Sequence, residues 1–323
     1  MHIPDAVLSP AVAAATGVVG AAGFAFGLRR LERQSGEKTV VLMGMMSAFL
    51  FAAQMVNFPV FPGVSGHLLG GLLASVLLGP WAGACAVGAV LIVQCLVFSD
   101  GGLTALGANF INMGLIGAIG GYAVYAPIRR LIGGRRGVLL GSMIAAWLSV
   151  ILAAGAFAAE LAAGGRDAFW SVLGWMALVH AVIGVGEAVI TGVVVRFILL
   201  TRPDLIYGVE APPTPSVARW GQVGFAGLAI ALAVAVFVAP FAWDAPDGLK
   251  YVGDSLGFLR SNAPAFLTGL IPNYKWNIVG GDHFRIATAA AGAAGTLCVF
   301  AVGLLMAKSF AGSKPRGIGP DAA

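Results

Sequence analysis

Residues 67–79 read HLLGGLLASVLLG, a run opened by a histidine and closed by Gly79-Pro80. A helix needs about 17–25 residues to cross a bilayer, so this run falls short of a full span. Whether it crosses nevertheless decides the topology of the whole chain. Eight longer apolar runs accompany it, at 10–28, 38–57, 81–98, 109–131, 138–161, 170–200, 219–241 and 285–307. Of the 323 residues, 59% are hydrophobic and 10% charged, and the mean hydropathy is +0.91. A soluble domain carries roughly 25% charged residues, so a water-facing surface of this size cannot be covered. Soluble enzymes, nucleic-acid binders and disordered chains are excluded, and the lipid bilayer becomes the solvent.

The basic residues arbitrate the short run, because Lys and Arg concentrate in cytoplasmic loops. If it crosses, the chain has nine spans, with the N-terminus outside and the C-terminus inside. Arg29, Arg30, Arg33, Lys38, Arg129, Arg130, Arg135, Arg136, Arg196, Arg202, Arg219, Lys308, Lys314 and Arg316 then face the cytoplasm. Only Arg166, Lys250, Arg260, Lys275 and Arg285 face outward. If it does not cross, the basic clusters on its two sides fall on opposite faces. The expectation is therefore an all-α polytopic membrane protein, N-out and C-in, with a bacterial inner membrane as its natural location. It divides into a seven-helix core at 1–200, a Pro-rich cytoplasmic linker at 201–218, a two-helix module at 219–307 around an outer loop at 242–284, and a tail at 308–323. Small residues spaced as in Gly117-Ala118-Ile119-Gly120-Gly121 predict close helix packing. In the outer loop Asp247 is placed to cap a short amphipathic helix carrying Leu249, Val252, Leu256 and Leu259. Cys85, Cys95 and Cys298 sit in apolar runs without C-x-x-C spacing, as inert buried thiols do.

With so few polar groups, each can be asked what it does. The chain opens Met1-His2-Ile3-Pro4-Asp5. No basic segment precedes the first span and its positive cluster follows it, unlike a secretory signal, so the Met1 amine is expected to persist. That amine, the deprotonated His2 amide nitrogen and the His2 imidazole close a five- and then a six-membered chelate ring. The three nitrogens are nearly coplanar and leave one corner of a plane vacant, an arrangement that suits Ni(II) or Cu(II). His67, predicted at the outer start of the short helix, lies on the same side and can fill that corner; His283, in the outer loop, is a further outward histidine that could act as a ligand. Ser65, Asp100 and Asn109, at the outer ends of neighbouring helices, are placed to hydrogen-bond the ligand imidazoles. His180 and Glu187 are seven residues apart on one helix face, placed for coupling or for a structural hydrogen bond within the membrane. The chain has no G-x-x-x-x-G-K-[ST] loop, so energy must come from a partner or an ion gradient. Two other readings use the same residues: a proton-coupled secondary metal transporter through His180 and Glu187, and an intramembrane serine protease with Ser65 of Gly63-Val64-Ser65-Gly66 and His180 as its base.

Four stretches together, MHIPDAVLSP at 1–10, SGHLLGGLLASVLLGPWAG at 65–83, SDGGLTALGANFINMGLIG at 99–117 and HAVIGVGEAVIT at 180–191, resemble one family over roughly residues 1–200. It is the substrate-capture component of energy-coupling-factor cobalt/nickel transporters, of CbiM/NikM type. The resemblance implies seven helices and transport of Ni(II) or Co(II) without an ATP site of its own. It also implies a transmembrane coupling subunit and two cytoplasmic ATP-binding subunits as partners. Metal ligation by the amino and amide nitrogens at the N-terminus, the second-position histidine and the histidine opening the third helix maps here onto Met1, His2 and His67. The C-terminal module, with Pro246-Asp247-Gly248-Leu249, resembles the small CbiN/NikN-type auxiliary subunit, here fused. The family usually has Gly where this chain has Ala6, and Glu where it has Lys250.

Overall fold

The helices follow the apolar runs closely. In chain order they are α1 (Pro10–Leu31), α2 (Glu37–Gln54), α3 (Gly71–Leu78), α4 (Pro80–Phe98), α5 (Leu106–Ile132), α6 (Gly134–Ala163), α7 (Phe169–Thr201), α8 (Trp220–Phe241), α9 (Gly248–Ser255) and α10 (Phe284–Phe310). The computed structural model describes residues 1–32, 36–165, 169–209, 220–259, 265–276 and 284–310. His283, half of the predicted linker (210–218) and most of the predicted tail (311–323) lie outside the described residues. Among the described residues, seven helices are long and apolar enough to cross a membrane: α1, α4, α5, α6, α7, α8 and α10. The eighteen-residue α2 carries Glu37 and Lys38 in its first turn.

The outward faces confirm that lipid is the solvent. Val18, Phe225, Phe237 and Leu131 are exposed, whereas Ser75, Gln94 and Thr191 are fully buried, the reverse of a water-soluble protein. Cys298 also proves exposed on α10 rather than buried. At the centre runs α4, whose small residues admit close neighbours. A side chain at Gly83 would meet the backbone of Ser75 at 2.7 Å, and one at Gly20 of α1 would meet the Gly107 carbonyl oxygen of α5 at 2.8 Å. Both α8 and α10 lie along α2.

The run that decides the topology is only partly helical. Its helix covers Gly71–Leu78, about 12 Å at 1.5 Å per residue. Residues 66–70 enter the bundle without helical structure, so His67 lies ahead of α3 rather than at its start. Gly70 has φ +74°, a left-handed turn favouring glycine, and Gly71 packs so closely on α5 that a Cβ would stand 2.6 Å from the Met113 carbonyl oxygen. Just before this segment comes an antiparallel hairpin, β1 (Phe58–Phe61) and β2 (Val64–Gly66), which turns around Pro62-Gly63. The first residues of the predicted linker are docked, not free. Leu205 and Ile206 are buried, and the Tyr207 N–H donates to the Val76 carbonyl at 2.9 Å.

The segment between α8 and α10 folds back over the end of the bundle that holds the N-terminus. Trp243 N–H donates to the Asn57 carbonyl at 2.9 Å, and Ile271 N–H to the Val97 carbonyl at 2.7 Å. Asp247 caps α9 by accepting from the Lys250 N–H at 2.9 Å, and Leu249 and Val252 are buried beneath the helix. The chain's first turn carries strain at Ala6, whose φ is +62°. A left-handed conformation costs an L-residue roughly 1–2 kcal/mol. Ala6→Gly is therefore expected to raise the stability of the detergent-solubilised protein by about 0.5–1 kcal/mol after the entropy of the unfolded glycine is counted, read as an increase in Tm. An unchanged or lower Tm would show that the turn carries no such strain.

Candidate metal centre

Two pieces of irregular backbone meet here, residues 1–5 and residues 67–70. The N-terminal strand is pinned by its main chain. The Ile3 N–H donates to Asn109 Oδ1 at 2.8 Å, Asn109 Nδ2 donates back to the Ile3 carbonyl at 3.1 Å, and the Gly102 N–H donates to the same carbonyl at 2.9 Å. Asp5 completes the clamp by accepting from the Thr104 N–H at 2.9 Å and the Phe266 N–H at 3.0 Å. These bonds draw Met1, His2 and Ile3 out of solvent.

The second piece needs partners because main-chain groups away from water must be satisfied within the protein. Glu187 of α7 supplies them: its two carboxylate oxygens accept from the Leu69 N–H at 2.6 Å and the Gly70 N–H at 2.7 Å. These N–H groups immediately precede α3, where the positive end of the helix dipole favours a carboxylate. From α2, Gln54 Nε2 donates to the Leu69 carbonyl at 2.9 Å.

Both imidazoles are oriented by their outer nitrogens. His67 Nδ1 lies 3.1 Å from the Leu68 carbonyl, which can only accept, so the proton sits on Nδ1 and Nε2 presents a lone pair. That lone pair meets the Met1 nitrogen in a short contact. His2 Nε2 lies 3.1 Å from Gln94 Oε1, while Gln94 Nε2 donates to Gln54 Oε1 at 2.9 Å. The amide chain thus requires the His2 proton on Nε2 and leaves Nδ1 free, the nitrogen that closes a six-membered ring with its own amide. The two rings are 5.3 Å apart between centroids and 20° from parallel. Gln54 and Gln94 tie the loop bearing His67 to His2 through one continuous run of hydrogen bonds.

Two carboxylates stand beside these nitrogens. Asp247 Oδ2 is 3.4 Å from the Met1 nitrogen and 3.7 Å from His67 Nε2. Asp100 Oδ1 is 3.5 Å from His2 Nδ1, and its Oδ2 accepts from the Tyr274 hydroxyl at 2.6 Å. A polar cavity of about 460 Å³ adjoins them, lined by His2, His67, Asp100, Asp247, Lys250 and Tyr274 among others. Burial lowers the Met1 amine below its ordinary value and takes His2 to about 4, against the opposing pull of Asp100 and Asp247. Burial opposes ionisation of Asp247 too, but the Met1 terminus and His67 hold its carboxyl well below the usual carboxylate range. A neutral amine and neutral imidazoles are the forms that bind metal. Among the described residues no three His, Cys, Asp or Glu side chains form a metal-binding group. A cavity of about 650 Å³ elsewhere is lined by Arg129, Arg130 and Arg135, which offer nothing to a cation.

Of the residues singled out in the sequence, Met1, His2, His67 and Asp100 come together. Asn109 and Ser65 lie close by but hold backbone rather than imidazole: Ser65 Oγ donates to the Ala245 carbonyl at 2.7 Å. His180 Nδ1 donates to the Met176 carbonyl at 2.8 Å within its own helix, and no hydrogen bond joins it to Ser65. Sequence reasoning read Asp247 only as a helix cap and passed over Gln54 and Gln94. The two glutamines carried a signal, as isolated amides in otherwise apolar helices. Asp247, 180 residues from His67, carried none.

Two outcomes follow. Glu187→Ala leaves two buried N–H groups without acceptors, at about 1–3 kcal/mol each, so the variant should melt well below the parent; an unchanged Tm would mean that the 66–70 segment holds itself. For pH the sign is set by His2, whose value is 6.5 when unfolded and about 4 when folded. The unfolded chain binds the proton more readily, so metal-free protein should lose about 2–3 kcal/mol between pH 7 and pH 4.5. The lowered Met1 amine acts in the same direction at higher pH. Chemical denaturation at stepped pH checks it, and His2→Gln should flatten the dependence.

Comparison with known proteins places the chain as a whole. Residues 2–205 match the family model described as the cobalt uptake substrate-specific transmembrane region, CbiM. The chain is 35% identical over 314 residues to an Archaeoglobus fulgidus chain named as a fused nickel transport protein, NikMN, covering 95% of this chain and 98% of that one. It is 32% identical over 263 residues to the fused nickel transport protein NikMN of Rhodobacter capsulatus, covering 75% and 74%. With the cobalt transport protein CbiM of Streptomyces coelicolor it shares 36% over 132 residues, 40% of this chain and 57% of that one. The crystal structure of a truncated transition metal transporter matches with TM-score 0.56 and 33% identity, over 62% of this chain and 99% of that one.

Proposed function

The chain belongs to the CbiM family of cobalt uptake substrate-specific transmembrane regions, and from that premise we propose that it captures Ni(II) or Co(II) at a planar set of nitrogens. It is a multi-pass membrane component of metal transport. In the proposed site the Met1 amine, the His2 amide nitrogen and His2 Nδ1 form two fused chelate rings, and His67 Nε2 takes the fourth corner. The observation that carries the reading is the contact of Met1 N with His67 Nε2 in a buried place, beside a His2 ring stacked 5.3 Å from that of His67, with His2 Nε2 and His67 Nδ1 occupied by other partners. Nitrogen donors in a tetragonal plane suit Ni(II) over Mg(II), Ca(II) or Mn(II).

The charge pattern supports an outward site and an inward C-terminus in a bacterial inner membrane, because the arginine-rich helix ends, at Arg29, Arg30, Arg129 and Arg130, lie away from the metal-binding end. The ion is cargo. Its inward release is then driven by the transmembrane coupling subunit and two cytoplasmic ATP-binding subunits that the family resemblance implies; a chain without a phosphate-binding loop draws its energy from a partner or an ion gradient. The α8–α10 region acts as the fused auxiliary part, and its loop covers the site. A proton relay through His180 and Glu187 draws less support, because both Glu187 oxygens already accept from the backbone.

Purified protein loaded with Ni(II) should show the absorption band of a low-spin planar complex, and His67→Ala should lose it with at least about a hundredfold weaker binding. One residue added ahead of Met1 should do the same, because it removes the amine from the chelate. Wild-type loading in both variants would overturn the site. Uptake surviving without an ATPase partner, and abolished by a protonophore, would overturn the coupling.

A further inference from the structure

A carboxylate delivered from the far end of the chain faces the proposed nitrogen plane, and nothing above assigns it a task there. Asp247 divides its oxygens. Oδ1 accepts from the Lys250 N–H at 2.9 Å and so caps α9, which leaves Oδ2 facing the Met1 nitrogen at 3.4 Å and His67 Nε2 at 3.7 Å. Those two nitrogens touch each other, so an ion held between them would lie within reach of Oδ2.

The position is enforced from both sides. Residues 245–247 run parallel to β2: Ser65 N–H donates to the Pro246 carbonyl at 2.9 Å, Ser65 Oγ donates to the Ala245 carbonyl at 2.7 Å, and Ser65 bridges to Asp247. On the other side Gly248 lies so close to α7 that a Cβ would meet Ile183 at 2.7 Å, Val179 at 2.9 Å and His180 at 3.2 Å. Any larger residue there would push the carboxylate away from the nitrogens.

Charge says what such a group is for. An amine, two imidazoles and one deprotonated amide neutralise only one charge of a divalent ion. The remaining positive charge would be buried, and an uncompensated buried charge costs several kcal/mol. Asp247, with its side chain 12% exposed, is the more enclosed of the two nearby carboxylates; Asp100, at 27%, is tied to Tyr274 at the cavity rim. We propose that Asp247 is the counter-charge that retains the captured cation, so that the C-terminal loop holds the ion in the site instead of merely covering it. This assignment rests on the nitrogen-donor reading given above.

The test uses the full-length chain loaded with Ni(II) alone, following the planar band spectroscopically while the ion is drawn into excess EDTA. Asp247→Asn preserves shape and helix cap but removes the charge, and Asp247→Glu restores it. The exposed Asp254→Asn serves as a control on general surface charge. With retention through Asp247, the Asn variant keeps the band unshifted but releases Ni(II) roughly tenfold faster or more, the Glu variant recovers much of the difference, and the control matches wild type. Release from Asp247→Asn at the wild-type rate overturns the proposal. A shifted band in that variant also overturns it, by making the carboxylate a ligand. Should Asp247→Asn fail to fold, Asp247→Ser, which keeps a capping oxygen, is measured against the same two criteria. Failure of the underlying reading looks different: wild type would lack the planar band, or His67→Ala would keep it.

Discussion

A single carboxylate makes the broken third helix possible. Glu187 accepts from two consecutive main-chain N–H groups at Leu69 and Gly70, where a continuous helix would have satisfied them itself. Without that acceptor the non-helical stretch 66–70 would leave two bare donors inside a lipid-surrounded bundle, at about 1–3 kcal/mol each. With it, the chain can end its hairpin, enter the bundle unwound, and begin α3 only at Gly71. His67 is thereby held below the end of the bundle, on backbone whose geometry is fixed rather than on the tip of a loop.

Everything else in the site answers to that placement. The Gln54–Gln94 pair carries the constraint from the Leu69 carbonyl to His2, so the two imidazoles are set relative to each other through amides instead of through the ion. Asn109 does the same for the N-terminal strand by bonding both main-chain groups of Ile3. In the proposed site, donors fixed before an ion arrives would lose little freedom on binding it, which would favour affinity and let the protein impose a plane. Such enforced geometry is the means by which a nitrogen site selects among divalent ions whose intrinsic affinities follow a common order.

The C-terminal segment belongs to the same structure rather than hanging beside it. Its loop donates to or accepts from residues of the N-terminal strand, the hairpin and the end of α4, at Asp5, Asn57, Ser65, Val97 and Asp100. Fusing it to the chain keeps its local concentration high without any new contact, the usual consequence of a covalent linker.

Residues with a local reason to be where they are were legible early. The apolar runs specify helices because a span must satisfy its own backbone. The nitrogens of Met1 and His2 that the proposed chelate uses are adjacent by covalent connection, and Asp247 caps α9 because the cap needs only three residues of context. His67 could be named because few histidines exist, yet its place in an unwound stretch ahead of α3 could not, since the unwinding depends on Glu187 from a helix more than a hundred residues away. The same limit hid the glutamine pair and the second set of contacts of Asp247, whose partners are long-range in the chain. By itself the sequence determined the solvent, the helices and the adjacency of the Met1 and His2 nitrogens. Tertiary structure alone decided which carboxylates and amides meet those nitrogens, because each such contact is made between segments that only packing in the bundle brings together.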